Sequence, residues 1–262
     1  MSTIYDMMKN ILTQKIRKGL PVYGGFVSEL VTPEMATLLE AAGYDFVIFD
    51  GEHGVYDLQK IREVLPGFRG ETCTPLVRIP LNRVDLMQQT LDLGAGGIMV
   101  PGVESPEDIV AAVSAVRFPP QGTRGLSLSR PHTCFKSVPR DTFLLEANAN
   151  TLLIIQVESR KALSCLDALL EVPGFDMVFI GCADLSLSLN IENSFSGPLL
   201  ETVRETVMKI HQKGVPVGIN AHDPAIVHEL QTRGVSFFSL STDTRAFLNG
   251  LRLPLAALDV AR

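Results

Sequence analysis

The chain has 262 residues, 46% of them hydrophobic and 20% charged, with 23 basic against 29 acidic residues and a net charge of −6. That length suffices for a single large domain with a substantial core, and the composition excludes disordered and collagen-like chains. The acidic balance argues against a broad nucleic-acid surface, and no apolar run reaches the roughly 18 residues that cross a bilayer.

In chain order, an N-terminal helix is expected over residues 7–18. Eight short apolar, β-rich segments follow, at 22–27, 45–50, 76–80, 98–103, 152–158, 177–182, 216–220 and 237–241. Between them lie stretches of helical periodicity, among them 33–42, 58–65, 106–116 and 199–213. Thr32 before Pro33, Ser105 before Pro106 and Asp223 before Pro224 predict N-caps followed by proline at the first helical position. Gly43, Gly94, Gly174 and Gly234 close helical runs, where glycine accepts the left-handed conformation that stops a helix. Apolar strands alternating with helices imply a parallel sheet covered on both faces. Eight such units predict an α/β fold of the (β/α)8 TIM-barrel type rather than a doubly wound sheet. The N-terminal helix is extra to this unit and is expected to cover the barrel's bottom. Residues 117–140, with Pro119, Pro120 and Pro131 after Val116, are expected to form a functional loop or a subunit contact. No linker divides residues 1–262, so a single domain is expected.

The start, MSTIYDMMKN, lacks the basic and apolar regions of a signal peptide. Cys73, Cys134, Cys165 and Cys182 show neither close pairing nor zinc spacing. A reduced, soluble, cytoplasmic protein is the expectation.

In such a barrel, polar residues at the C-terminal strand ends are the catalytic candidates. Strand two ends in Asp50-Gly51-Glu52-His53-Gly54, strand three carries Arg78, strand five ends in Gln156-Val157-Glu158 and strand six in Gly181-Cys182-Ala183-Asp184. Strands one, four, seven and eight offer Ser28, Glu104, Asn220 and Thr242. Charge is thus concentrated on strands two, three, five and six. Glu158 and Asp184 on adjacent strand ends repel unless a proton or a cation lies between them. Hard oxygen donors without Cys or His pairs favour Mg²⁺ or Mn²⁺; the alternative is that each carboxylate caps the helix after it. His53 suits a general base, with Asp50 orienting it or raising its basicity, although the flanking glycines also fit a plain tight turn. Arg78 either meets a substrate carboxylate or forms an internal salt bridge with Glu52 or Asp50. Arg124 is read as a loop anchor, and His132, His211, His222 and His228 as solvated. Gly94–Gly97 precedes a strand and is no nucleotide fingerprint. No strand carries the lysine of a Schiff-base aldolase, Lys161 lying in the run after strand five, so a metal is the substitute for stabilising an enolate.

These residues resemble the HpcH/HpaI aldolase family, metal-dependent class II aldolases acting on pyruvate and related 2-oxo acids. FDGEHG at 49–54, Val77-Arg78, LDLGAGGIMVPGVES at 91–105, FPPQGTRG at 118–125, QVES at 156–159 and GCADLS at 181–186 carry the resemblance along nearly the whole chain. It implies a (β/α)8 barrel and a homo-oligomer, typically a hexamer. It also implies Glu158 and Asp184 as metal ligands, His53 as general base and Arg78 as the residue stabilising the enolate. Gln156 and the backbone around Ala183 and Asp184 become contacts to the 2-oxo acid. Asp92 matches an aspartate that raises the basicity of the histidine; preceding strand four, it reaches a site only in a neighbouring subunit. The chain departs from the family's usual pattern at Cys182, at Leu81-Asn82-Arg83-Val84 and at Ala221-His222-Asp223-Pro224.

The expected activity is cleavage or formation of a 4-hydroxy-2-oxo acid, from pyruvate and an aldehyde, through an enolate. The alternative is a citrate synthase-like or acyl-CoA lyase-type condensation of oxaloacetate with an acetyl donor, to which Arg83 and its altered stretch point. A catalytically silent structural barrel is the third reading.

Overall fold

The computed structural model describes residues 10–68 and 72–258. Eight strands, β1 (Val22–Val27), β2 (Phe46–Asp50), β3 (Thr74–Arg78), β4 (Gly97–Val100), β5 (Leu152–Val157), β6 (Met177–Ile180), β7 (Val217–Asn220) and β8 (Val235–Thr242), pair in sequence order and close β8 onto β1 as a parallel barrel. Helix α1 (Ile11–Arg17) precedes β1. The strands are then followed by α2 (Met35–Ala41), α3 (Leu58–Val64), α4 (Val84–Asp92), α5 (Pro106–Val116) and α6 (Arg140–Asn150) in the first half. The second half adds α7 (Arg160–Ser164), α8 (Leu166–Leu170), α9 (Cys182–Leu189), α10 (Pro198–Gln212), α11 (Pro224–Thr232) and α12 (Asp243–Ala257). This is the expected TIM barrel with its additional helix.

Alternation along each strand separates two cores. Inward-facing Val22, Phe26, Phe46, Ile48, Leu76, Met99, Ile154, Met177, Phe179 and Phe237 fill the barrel, while their outward neighbours pack under the helices. Leu12 and Ile16 of α1 join the inner cluster, so this helix plugs the barrel's bottom. The Asn10 side chain caps it by accepting from Thr13 N–H at 3.1 Å, and donates to the carbonyls of Gly96 and Asn150. Residues 7–9 of the expected helix lie outside the described residues.

Ser105 and Asp108 form a reciprocal capping box at α5, and Asp223 caps α11. Gly43, Gly94, Gly174 and Gly234 all take positive φ, as the helix-stop reading requires. Thr32 departs from expectation: α2 begins only at Met35, because Pro33 and Glu34 form a preceding turn and the Thr32 hydroxyl is spent on the Glu34 carboxylate. Strand β4 ends at Val100 rather than 103, since Pro101 has no N–H with which to continue the ladder. The segment between α5 and α6 is pinned by Arg117, which donates to the carbonyls of Gly174, Asn148 and Thr151 and pairs with Asp176.

Candidate active site

Register sets the site. Asp50 and Arg78 are partners in the β2–β3 ladder, so their inward side chains meet at the same height. Arg78 donates Nε to Oδ1 of Asp50 at 3.0 Å and Nη2 to Oδ2 at 2.7 Å, a bidentate pair that is almost fully buried. Its guanidinium lies 5.0 Å over the Phe26 ring, which forms the floor of the mouth. Nη1 is 2.9 Å from Oε2 of Glu52, an ion-pair contact without hydrogen-bond alignment. Of the two readings of Arg78, the internal salt bridge is therefore formed, and to both carboxylates.

Asp50 makes no hydrogen bond to the His53 ring among the described residues. Its Oδ1 accepts the backbone N–H groups of Glu52 at 3.0 Å and His53 at 3.2 Å, so it shapes the turn that carries the imidazole. The expectation that Asp50 orients the ring is corrected accordingly: the register partner Arg78 takes both oxygens. His53 presents a side chain 65% exposed, with Nε2 3.9 Å from Glu52. Burial works to raise the Asp50 carboxyl, but the Arg78 hydrogen bonds and charge, with the two N–H groups, hold it below its ordinary value. Glu52 is raised, by burial above all and by the charges of Asp50 and Asp184.

Glu158 stands just beyond β5. Its Oε1 accepts the Gly102 N–H at 2.7 Å and its Oε2 the Gln156 amide. Burial, with the charges of Glu52 and Asp184, pushes its carboxyl up to about 7. The helix after it is capped instead by Ser159, whose hydroxyl accepts from Ala162 N–H, so Glu158 is not the cap. Asp184 lies exposed in the first turn of α9 without a capping bond. Gly181 separates the two carboxylates: a Cβ there would come within 2.5 Å of Glu158 Oε2 and 2.7 Å of Gln156 Nε2. The bare backbone thus leaves a small cradle lined by hard oxygen donors. Among the described residues, no group of three or more His, Cys, Asp or Glu converges to hold an ion on protein ligands alone. Two carboxylates beside open positions fit Mg²⁺ or Mn²⁺, which keep waters or substrate oxygens in the remaining places.

Asp92 is not brought to this mouth. It ends α4 and pairs with Arg124, Nη2 to Oδ1 at 2.8 Å, and its carbonyl lies 3.1 Å from His132 Nδ1. Arg124 is the loop anchor expected. His132 is not solvated as expected: its ring packs against Phe143 with about a tenth of the side chain exposed, a placement that its short polar neighbourhood in sequence does not reveal. A surface concavity of about 790 Å³ borders Asp92, but its lining includes none of the mouth residues. Sequence reasoning gave no role to Gly102, Gly181 or Phe26, although it placed Gly181 at a strand end, where its inward position between two strand-end carboxylates was a signal.

The sequence profile of the HpcH/HpaI aldolase/citrate lyase family matches residues 24–250. A 2-keto-3-deoxy-L-rhamnonate aldolase of Salmonella gallinarum is 33% identical over 251 residues, covering 95% of this chain and 93% of that protein. The HpcH/HpaI aldolase of Desulfitobacterium hafniense superposes with a TM-score of 0.90 at 29% identity, over 96% of this chain and 97% of its own. The citrate synthase SbnG superposes with a TM-score of 0.83 at 27% identity, over 94% and 96% of the two chains.

Proposed function

Since the chain belongs to the HpcH/HpaI aldolase/citrate lyase family and is a carbon–carbon lyase, we propose that it cleaves and forms 4-hydroxy-2-oxo acids, with pyruvate and an aldehyde as the two halves. The observation that carries this reading is the gathering of Glu52, Glu158 and Asp184 around the single guanidinium of Arg78 at the barrel mouth, a negative surplus that calls for a cation. Glu158 and Asp184 are the residues to hold a divalent ion, Mg²⁺ or Mn²⁺. When bound, that ion supplies Lewis acidity to the carboxylate and ketone oxygens of the 2-oxo acid.

The remaining work falls to the chain. The backbone N–H groups of Ala183 and Asp184 lie in the first turn of α9, where unpaired donors and the helix dipole receive the substrate carboxylate. Gln156, inward on β5 with no partner for its Oε1 among the described residues, flanks the same position. In the cleavage direction His53 accepts the proton of the C4 hydroxyl through a water as the C3–C4 bond breaks. The bonding pair passes to C3, giving the enolate of pyruvate, and the aldehyde leaves. Arg78, fixed by Asp50 and Phe26, holds positive charge beside the developing enolate oxygen without reorganising. Asp92 serves its own chain as a loop anchor and reaches a mouth only across a subunit boundary, the role the resemblance implies for it.

Proton exchange at the pyruvate methyl group in D₂O, followed by NMR, tests this. Exchange is expected with Mg²⁺ or Mn²⁺, lost on chelation and lost in His53→Ala. No exchange with any metal sinks the reading and moves oxaloacetate and acyl-CoA to the front. The likeness to a citrate synthase supports that second reading. Arg83 does not add to it, since its head is tied to Asp85 on the surface at 2.9 Å.

Oligomerisation, as a hexamer, belongs to the same proposal. Helix α12 exposes Phe247, Leu248, Leu251 and Leu255, and a concavity of about 420 Å³ lies between it, β1 and α2. Light scattering on the eluting protein reads the number of subunits. Four cysteines without disulfides support a cytoplasmic location, and no helix among the described residues is long and apolar enough to cross a membrane.

A further inference from the structure

The turn that carries Glu158 is braced from both sides. On one side the Arg160 N–H donates to the Ser188 hydroxyl at 2.9 Å and Arg160 Nη2 to the Leu189 carbonyl at 3.0 Å, which ties the turn to the last residues of α9. On the other side runs the loop from β4 to α5, residues 101–104. This loop has little backbone of its own to hold it. Pro101 has no N–H to give, Gly102 stands at a φ of +61°, and none of these four residues makes a backbone–backbone hydrogen bond among the described residues. Its fixed points are the buried Val103 and the half-buried Glu104.

Glu104 is fastened along its whole length. Its N–H donates to Asp108 Oδ2 at 3.0 Å and its carbonyl accepts from Cys165 Sγ at 3.2 Å. Oε1 accepts from the Ser159 hydroxyl at 2.6 Å, and the Lys161 ammonium lies 3.2 Å from Oε2. The lysine side chain is two-thirds exposed, so that ion pair contributes little. The hydroxyl-to-carboxylate bond is short and charge-assisted, and it is made by the residue next to Glu158. Two residues before Glu104, the Gly102 N–H donates to Oε1 of Glu158 at 2.7 Å. The two bonds are therefore two rungs between the same pair of segments, and the outer one keeps the inner one closed. With Oε1 engaged, the oxygen of Glu158 at the Gly181 cradle is Oε2.

We propose that Glu104 is a positioning residue for the divalent ion: its bond to Ser159 holds the β4–α5 loop on the turn after β5, so that Gly102 keeps Oε1 of Glu158 and Oε2 is left to the ion. This rests on the reading of Glu158 and Asp184 as metal ligands. A ligating carboxylate that turns freely loses affinity to its own disorder, and outer partners that orient a ligand typically contribute about 10–100-fold.

The test titrates Mn²⁺ into the full-length, metal-free protein, reads binding by electron paramagnetic resonance, and then measures pyruvate methyl exchange at saturating Mn²⁺. Glu104→Ala is expected to weaken Mn²⁺ binding at least about tenfold, while exchange at saturation falls less than about threefold because His53 and Arg78 keep their places. Glu104→Gln loses the same charge but keeps an oxygen for the Ser159 hydroxyl, so its Mn²⁺ affinity is expected to stay within about threefold of the unaltered protein. Ser159→Ala removes the other end of the bond and is expected to repeat the loss, which keeps the test open should Glu104→Ala not fold; thermal melting verifies each variant. Mn²⁺ affinity within about twofold of the unaltered protein in the folded Glu104→Ala and Ser159→Ala variants overturns the proposal and leaves the metal reading standing. Glu104→Gln as weak as Glu104→Ala overturns it too, since the loss then follows the charge and not the bond. Absence of Mn²⁺ binding by the unaltered protein overturns the metal reading and this proposal with it.

Discussion

Arg78–Asp50 and Arg124–Asp92 are chemically the same pair. In each, a buried guanidinium lies over a phenylalanine ring, Phe26 at 5.0 Å and Phe118 at 4.6 Å, and bonds an aspartate. What differs is the charge left over. Around Arg78 stand Glu52, Glu158 and Asp184 besides Asp50, four carboxylates to one guanidinium. Around Arg124, among the described residues, stand Asp92 and a histidine that burial, with the charge of Arg124, holds below its ordinary value and so neutral at pH 7. The balanced pair ties down a loop. The unbalanced one carries a surplus of negative charge, and that imbalance, more than any cavity, supports the proposal of a cation and an anionic substrate there.

Removing each arginine in turn is the severest test of that contrast. Arg78→Ala is expected to lower cleavage by about 10²–10³-fold, the usual loss when a preorganised charge is taken from a developing oxyanion. Arg124→Ala is expected to retain pyruvate exchange while losing about 3 kcal/mol of stability in urea unfolding, because Asp92 is left half-buried without its partner. If Arg124→Ala loses exchange at unchanged stability, the two pairs are not distinct in kind.

Gly181→Ala probes the surplus side alone. Its methyl displaces Glu158 Oε2 and Gln156 Nε2 from the cradle, and Mn²⁺ affinity measured by electron paramagnetic resonance is expected to fall at least about tenfold.

The two regions also respond to pH with opposite sign. Without a metal, Glu158 keeps its proton in the folded chain up to about 7 against an ordinary 4.5. The folded state then binds more protons than the unfolded, so this contribution to stability is full below 4.5 and is lost as pH rises through 7. Glu158→Gln is expected to flatten that slope, and saturating Mg²⁺ to reverse it. His132 acts the other way. Its folded value lies below the ordinary 6.5, so the unfolded chain binds the extra proton and stability declines as pH falls below 6.5. His132→Phe is expected to remove this smaller acid-side slope in thermal melts.

The barrel and the polar strand ends were legible because both follow from one-dimensional signals: apolar segments of strand length, helix-stopping glycines such as Gly94 and Gly174, and caps such as Ser105. Which partners those polar residues take was left open, since that depends on register. Asp50 and Arg78 are 28 positions apart in the chain and meet only because they share a rung. For the same reason, the sequence offered Asp50 both to the His53 ring and to Arg78, and the rung decides for the arginine. His132 was misjudged because a loop residue becomes buried only when a distant element, here Phe143 of α6, closes over it. Thr32 shows the limit of cap patterns, which assume that the hydroxyl has no better partner nearby.

Closure of β8 onto β1 has a consequence for how copies of this protein meet. A sheet that returns on itself exposes no free row of backbone donors and acceptors, so one barrel cannot recruit another by adding a strand. The proposed association would therefore run through side chains on the outer helices and loops, where contacts are specific in shape and break one by one. Such an assembly would obey mass action: on this proposal, diluting the protein lowers its melting temperature, and a polar residue at Leu251 lowers it at high concentration as dilution does.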